Sequence, residues 1–178
     1  ITGHTLNGWK LPSTSGGWAA DDYGFRVAGP GYWGNITLFA DVTPTSYKIQ
    51  YVDSEGASLG AEDTLYTIKD TVSLYNYEKN GYTTKGWYVL DGSENIGSWR
   101  TGVLYDHTAA YPGMYGNVKL YPELEINKYT VTFLDNSGAL LGEFEYDIEY
   151  KGNLPVFEKT GYVLTGWQVT AADGNWQA

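Results

Sequence analysis

The sequence predicts an α+β, strand-dominated fold built from tandem small units of about 80 residues with short helices. Three observations carry that expectation. First, Lys79-Asn80-Gly81-Tyr82-Thr83-Thr84-Lys85-Gly86-Trp87 recurs as Lys159-Thr160-Gly161-Tyr162-Val163-Leu164-Thr165-Gly166-Trp167, and a third form opens the chain as Gly3-His4-Thr5-Leu6-Asn7-Gly8-Trp9. The leading glycines of the three, at positions 3, 81 and 161, are 78 and 80 residues apart. Second, two flanking blocks recur without gaps at a separation of 82 residues: Tyr47–Gly60 matches Tyr129–Gly142, and Pro30–Phe39 matches Pro112–Tyr121. Third, 17 Tyr, 7 Trp and 23 Gly against a single Met describe strands and turns far better than helices.

These matches divide the chain into three copies. Residues 1–41 carry the C-terminal half of a first repeat, 46–122 a complete second repeat, and 127–178 the N-terminal half of a third. The expectation is a section of a longer array.

The first copy opens with the Gly-His-x-x-x-Gly-Trp strand. It continues through the Ser/Gly/Asp-rich excursion Ser13–Gly31, which contains Ser13-Thr14-Ser15-Gly16-Gly17, and ends in a short strand at Asn35–Ala40. Two strands joined by such a loop cannot bury both faces alone. In the middle copy Tyr47, Ile49 and Tyr51 alternate with Lys48, Gln50 and Val52, and the strand runs into the turn Asp53-Ser54-Glu55-Gly56. There the Asp side chain accepts from local amides and Gly supplies a positive φ. A returning strand at Thr64–Lys69 follows, then Val72–Lys79 as a short helix with Leu74 and Tyr77 toward the sheet. Strands at Tyr82–Leu90 and Asn117–Pro122 flank a long loop. The third copy repeats the hairpin and alternates cleanly from Glu143 to Tyr150, with Phe144, Tyr146, Ile148 and Tyr150 on one face and Glu143, Glu145, Asp147 and Glu149 on the other. Pro155 restricts any helix at Leu154–Thr160 to its first turn.

Taken together, Tyr129–Gly138, Gly161–Trp167 and Asn117–Tyr121 carry a pattern that resembles the Listeria–Bacteroides repeat, the B-repeat of internalin B. The resemblance covers nearly all of the chain. It implies a β-grasp-like unit found in tandem in extracellular bacterial proteins, as stalk or adhesion modules, with no shared catalytic residues. The loops after each Trp are longer and more aromatic than that pattern, and His4 stands where it has Tyr.

Chemistry is sparse. Net charge is -10, against the basic patches that nucleic acid and anionic membranes need. No apolar run approaches the ~18 residues of a membrane span. Cys is absent, so disulfides and thiolate metal sites are excluded. His4 and His107 fall at unrelated repeat positions without a general-base partner set, which points to a non-enzymatic protein with no cofactor. Side chains on one strand face lie in a line, so the acidic row reads as a charge-protected strand rather than a converging cation site. Lys48 and Lys128 raise the possibility of Lys–Asn or Lys–Asp isopeptide bonds.

Trp9, Trp87 and Trp167 are expected in the core. The loop aromatics Trp18, Trp99, Trp176 and Tyr111 are the candidate ligand-binding residues, since exposed rings stack on sugar or peptide surfaces. The competing and favoured expectation is that these rings cap the open end of a small core or pack against the next repeat. The expected role is a stalk, spacer or adhesive region of a bacterial cell-surface protein. Its partners would be adjacent repeats and a host-cell protein or glycan. The alternatives are a carbohydrate-binding accessory module of a secreted enzyme and a filament subunit assembled by strand complementation.

Overall fold

The computed structural model describes residues 1–25, 30–93, 95–107 and 110–174. They form two compact units, Ile1–Glu125 and Ile126–Ala178. The strands are β1 (His4–Leu11), β2 (Asp21–Gly24), β3 (Phe39–Pro44), β4 (Tyr47–Tyr51), β5 (Thr64–Tyr66), β6 (Tyr82–Val89), β7 (Val118–Ile126), β8 (Tyr129–Leu134) and β9 (Leu140–Tyr146).

No helix occurs among the described residues, so the architecture is all-β and the α+β, β-grasp-like expectation with short helices is overturned. The reason is local. In segment 72–79 the Val72 and Leu74 amides donate across to the carbonyls of Ala110 and His107, and the Tyr75 amide donates to the Tyr51 hydroxyl. Those donors are committed outside the segment, and Val, Ser, Tyr and Asn have little intrinsic helical preference to retrieve them. Leu74 is buried and Tyr77 half-buried all the same, from an extended backbone. Segment 154–160 is likewise without helix.

The middle copy makes a four-stranded mixed sheet in the order β5-β4-β7-β6. Its centre is the parallel pair β4 and β7, in register Ile49↔Val118, Gln50↔Lys119 and Tyr51↔Leu120. Parallel neighbours need a long crossover, and here the whole of β5, segment 72–79, β6 and the 91–117 loop intervenes. One side of this sheet buries Ile49, Tyr51, Tyr66, Trp87, Val89, Val118 and Leu120, with Leu74, Trp99 and Ala110 laid over it. The first copy makes a separate sheet, β2-β1-β3, and the third the hairpin β8-β9.

Repetition reaches the backbone. In the three Gly-aromatic-x-x-x-Gly-Trp segments the first glycine has φ of 71°, 80° and 81°, and the second 153°, 155° and 159°. The second position is closed by a neighbouring chain in two copies: a Cβ on Gly86 would lie 2.5 Å from the Tyr105 carbonyl oxygen, and one on Gly8 would lie 2.4 Å from Gly24 Cα. Tyr105 exchanges two backbone hydrogen bonds of 2.8 Å with Trp87, and Gly24 stands opposite Trp9 in the β1–β2 ladder. Glycine before the tryptophan therefore admits an extra edge segment against the strand.

The hairpin turns repeat as well. Asp53 Oδ1 accepts from the Glu55 and Ala57 amides at 2.9 and 2.8 Å, and Asp135 Oδ1 accepts from Ser137 and Ala139 at 2.8 and 3.0 Å. Alternation in the acidic row holds only to Tyr146. Asp147 leaves β9 to accept from the Glu149 amide at 3.0 Å, so the expected eight-residue face stops there.

Gly86→Ala is expected to destabilise unit Ile1–Glu125 by about 2 kcal/mol or more, from strained φ and backbone overlap. Gly166→Ala, with nothing within 4 Å of the added Cβ, should cost clearly less. Urea unfolding of the two variants beside the parent chain checks the contrast.

Candidate functional site

The aromatic side chains occupy two kinds of place. In the core of the middle copy, Trp87 is fully buried, with Tyr51 at 4.9 Å and Tyr77 at 6.5 Å between ring centroids. The repeat-equivalent triple Phe133, Phe157 and Trp167 recurs in the third copy, at 4.6 Å for Phe133–Trp167 and 5.8 Å for Phe157–Trp167. Trp9, whose copy brings no such covering rings, remains 39% exposed.

Of the four candidate ligand-binding residues, Trp99 requires correction as a stacking platform. It has no exposed surface, it meets Tyr105 edge-on at 4.9 Å, and its Nε1 donates to the Tyr66 hydroxyl at 2.8 Å. The Tyr66 hydroxyl in turn donates a hydrogen bond to the Gly116 carbonyl at 2.5 Å, and burial pushes its phenol pKa above the usual value. This neutral relay locks the long loop onto the sheet. Nothing in the sequence separates Trp99 from an exposed loop tryptophan except its spacing from the repeat.

Trp18 is half-buried, its ring 4.5 Å from that of Tyr32. Tyr111 is 51% exposed, and Trp176 lies outside the described residues. Sequence reasoning passed over Trp33, which is 69% exposed. Its carbonyl accepts from the Gly17 amide at 2.8 Å and its ring lies over Gly17, where a Cβ would sit 2.6 Å from it. Gly16-Gly17-Trp18 and the aromatic pair Tyr32-Trp33 were legible as loop composition; their meeting was not. Tyr32 and Trp33 expose their rings on the first copy, beside the half-buried Trp18. Rings of this kind suit the apolar faces of sugars or a peptide side chain.

Two shallow grooves occupy equivalent places, between the end of the Gly-Trp strand and the start of the last strand. One, of about 560 Å³, is lined by Gln50, Glu55, Leu90, Asp91, Asn117 and Lys119. The other, of about 300 Å³, is lined by Leu11, Pro12, Ser15, Asn35, Ile36 and Phe39. No three His, Asp or Glu side chains converge as metal ligands among the described residues. His4 Nδ1 lies 3.0 Å from the Thr2 carbonyl, and the His107 carbonyl serves Leu74.

The lysines weighed for covalent cross-linking each sit in an ion pair. Lys48 pairs with Asp63 at 3.1 Å and Lys128 with Asp147 at 2.7 Å. The hydrogen bond to Asp147 raises the Lys128 pKa, and the bond from Lys128 lowers that of Asp147. Amide formation needs a neutral amine and a protonated carboxyl, the opposite of what this pair favours.

Asp135 is held well below the usual carboxylate range, first by the Ser137 hydroxyl at 2.6 Å and then by Lys159 Nζ at 3.1 Å. Lys159 belongs to the repeated motif, so this contact ties the hairpin turn to the Gly-Tyr-x-x-x-Gly-Trp segment. Lys159 also lies over the Tyr162 ring at 5.2 Å, as Lys79 of the middle copy lies over the Tyr82 ring at 4.2 Å.

No family model matches the chain. Two proteins of Evansella cellulosilytica are similar to it. One, provisionally named a Gly-rich membrane protein, is 27% identical over 167 residues, which is 93% of this chain and 18% of that protein. The other, provisionally named a membrane protein, is 29% identical over 134 residues, 75% of this chain and 17% of its own length. The chain thus spans less than a fifth of the curated relatives it matches. Among the described residues no helix is long and apolar enough to cross a membrane.

Tyr66→Phe leaves Trp99 Nε1 and the Gly116 carbonyl without the hydroxyl, and is expected to cost unit Ile1–Glu125 about 1–3 kcal/mol. Trp33→Ala should stay within about 0.5 kcal/mol of the parent, as exposed substitutions do; chemical denaturation measures both. For Asp135 the folded-state pKa is depressed. Its contribution is therefore full above the unfolded-state value, near pH 4, and fades as pH falls below it. Acid titration of the 126–178 unit followed by near-UV circular dichroism should show that dependence, and Asp135→Asn should flatten it.

Proposed function

We propose that this chain is a non-enzymatic repeat module of an extracellular bacterial cell-surface protein, serving as stalk or adhesive region and related by its motifs to the Listeria–Bacteroides repeats. The observation that carries this reading is the repetition itself. Glycine dihedrals, Asx turns and the three-ring cluster recur where the sequence recurs, so what is repeated is a way of building a core. Small units stacked in series provide length. Relatives of which this chain spans less than a fifth, bearing the name of membrane proteins, fit a module carried within a larger anchored chain.

A second reading draws on the exposed Tyr32 and Trp33 beside the half-buried Trp18. These rings favour a glycan or host-cell protein as ligand, either for an adhesin or for an accessory module of a secreted enzyme.

Protease shaving of intact cells that produce the parent protein should release peptides of this chain without lysis. Their protection until the cells are broken would overturn the surface assignment. On a glycan array, the purified chain should give signals that Trp33→Ala lowers several-fold if the adhesive role holds, whereas an even, empty array would restrict the module to a spacer.

A further inference from the structure

Trp87 and Val89 of β6 and Leu120 of β7 point into the core of the middle copy, so alternation turns Tyr88 and Tyr121 to the opposite side of the sheet. There the two rings meet across neighbouring strands. They lie 5.7 Å apart between centroids with their planes inclined by 34°, and both residues are half-buried, within reach of solvent. The Leu90 amide donates to the Lys119 carbonyl at 2.9 Å, and a step of two residues from each end of that bond arrives at Tyr88 and Tyr121. Neither hydroxyl has a hydrogen-bond partner among the described residues.

Two other tyrosine pairs of unit Ile1–Glu125 come as near, but both belong to the core side. Tyr51 and Tyr75 are 5.5 Å apart with planes inclined by 51°, and the Tyr51 hydroxyl is held between the Thr64 hydroxyl and the Tyr75 amide. Tyr47 and Tyr66 are 5.8 Å apart at 44°, and the buried Tyr66 donates its hydroxyl to the Gly116 carbonyl. Of the three pairs, Tyr88 and Tyr121 lie nearest to parallel and alone have both hydroxyls uncommitted. Nor does the fold demand tyrosine at these places. The first copy has Lys10 and Phe39 there, opposite each other in the β1–β3 ladder.

We propose that Tyr88 and Tyr121 are a site of oxidative cross-linking, joined as dityrosine by a peroxide-driven one-electron oxidant, and that the bond staples β6 to β7. Each phenol gives up one electron and its hydroxyl proton, and the two phenoxyl radicals couple through the ring carbons next to the oxygens. The hydrogen on each coupled carbon then moves to the oxygen, which restores both hydroxyls and both aromatic rings. The electrons and protons released convert one hydrogen peroxide to two waters. The new carbon–carbon bond closes the chain between positions 88 and 121 into a loop that holds Trp99, and it restricts the unfolded chain as a disulfide does. With no Cys in the chain, a disulfide cannot fill that part. The chemistry belongs to the purified protein and is independent of where the protein resides.

The purified chain, treated with a haem peroxidase and hydrogen peroxide, tests the site directly. Monomer recovered by size exclusion should show dityrosine fluorescence and an intact mass lower by two hydrogens. After trypsin it should contain a species that joins peptides 86–100 and 120–128, which carry Tyr88 and Tyr121. Tyr88→Phe and Tyr121→Phe should each lose that species with circular dichroism unchanged, since Phe39 already serves in the first copy. Treated parent monomer should unfold at a higher urea concentration than untreated, and treated Tyr121→Phe should show no such rise. A monomer fraction in which the two peptides stay separate overturns the proposal, whether or not other tyrosines have coupled. A joined species without the rise in urea resistance overturns the staple.

Discussion

The parallel pairing of β4 with β7 is the constraint on which the rest of the complete copy depends. It joins the first strand of the repeat to the last, roughly 70 residues later, so what lies between must either flank the pair, as β5 and β6 do, or fold over the face they share. Tyr51 arrives on one of these strands and Leu120 on the other, with Trp87 beside them, so the covering of the tryptophan is a product of long-range pairing rather than of its own segment. In the third copy, 162–169 keeps its ring contacts to Phe133 and Phe157 but forms no strand, and in the first copy Trp9 stays partly open to solvent.

Much of this was legible in the sequence because the signals are local and recur. Asp-x-x-Gly turns, the two glycines flanking an aromatic strand, and the alternation of Tyr47, Ile49 and Tyr51 each have a short-range physical cause that a repeat displays more than once. The helix expected at Val72–Lys79 failed for a non-local reason: its amide donors are taken by His107, Ala110 and the Tyr51 hydroxyl, none of which spacing reveals. Trp99 takes the core-capping reading and not the ligand-binding one on the same ground. A tryptophan in a Gly/Ser-rich loop looks exposed until Tyr66 and Tyr105 close over it. Trp33, by contrast, was hidden by its motif, since its counterpart Tyr115 is half-buried.

Ionic contacts play a local part. The exposed pairs Lys85–Glu125 and Lys48–Asp63 are solvent-screened and contribute little stability of their own. Asp135 differs because several donors converge on one carboxylate, and its link to Lys159 fastens a segment that has no ladder to hold it. Where backbone pairing is missing, a side-chain contact carries the register.

The parallel centre also has a mechanical meaning. The polypeptide enters the complete copy at the start of β4 and leaves it at the end of β7, which run the same way side by side. Tension applied through the two ends therefore slides one strand along the other, and loads the hydrogen bonds between them together instead of peeling them one at a time. A unit wired in this manner resists being pulled lengthwise far better than it resists being unzipped from an edge.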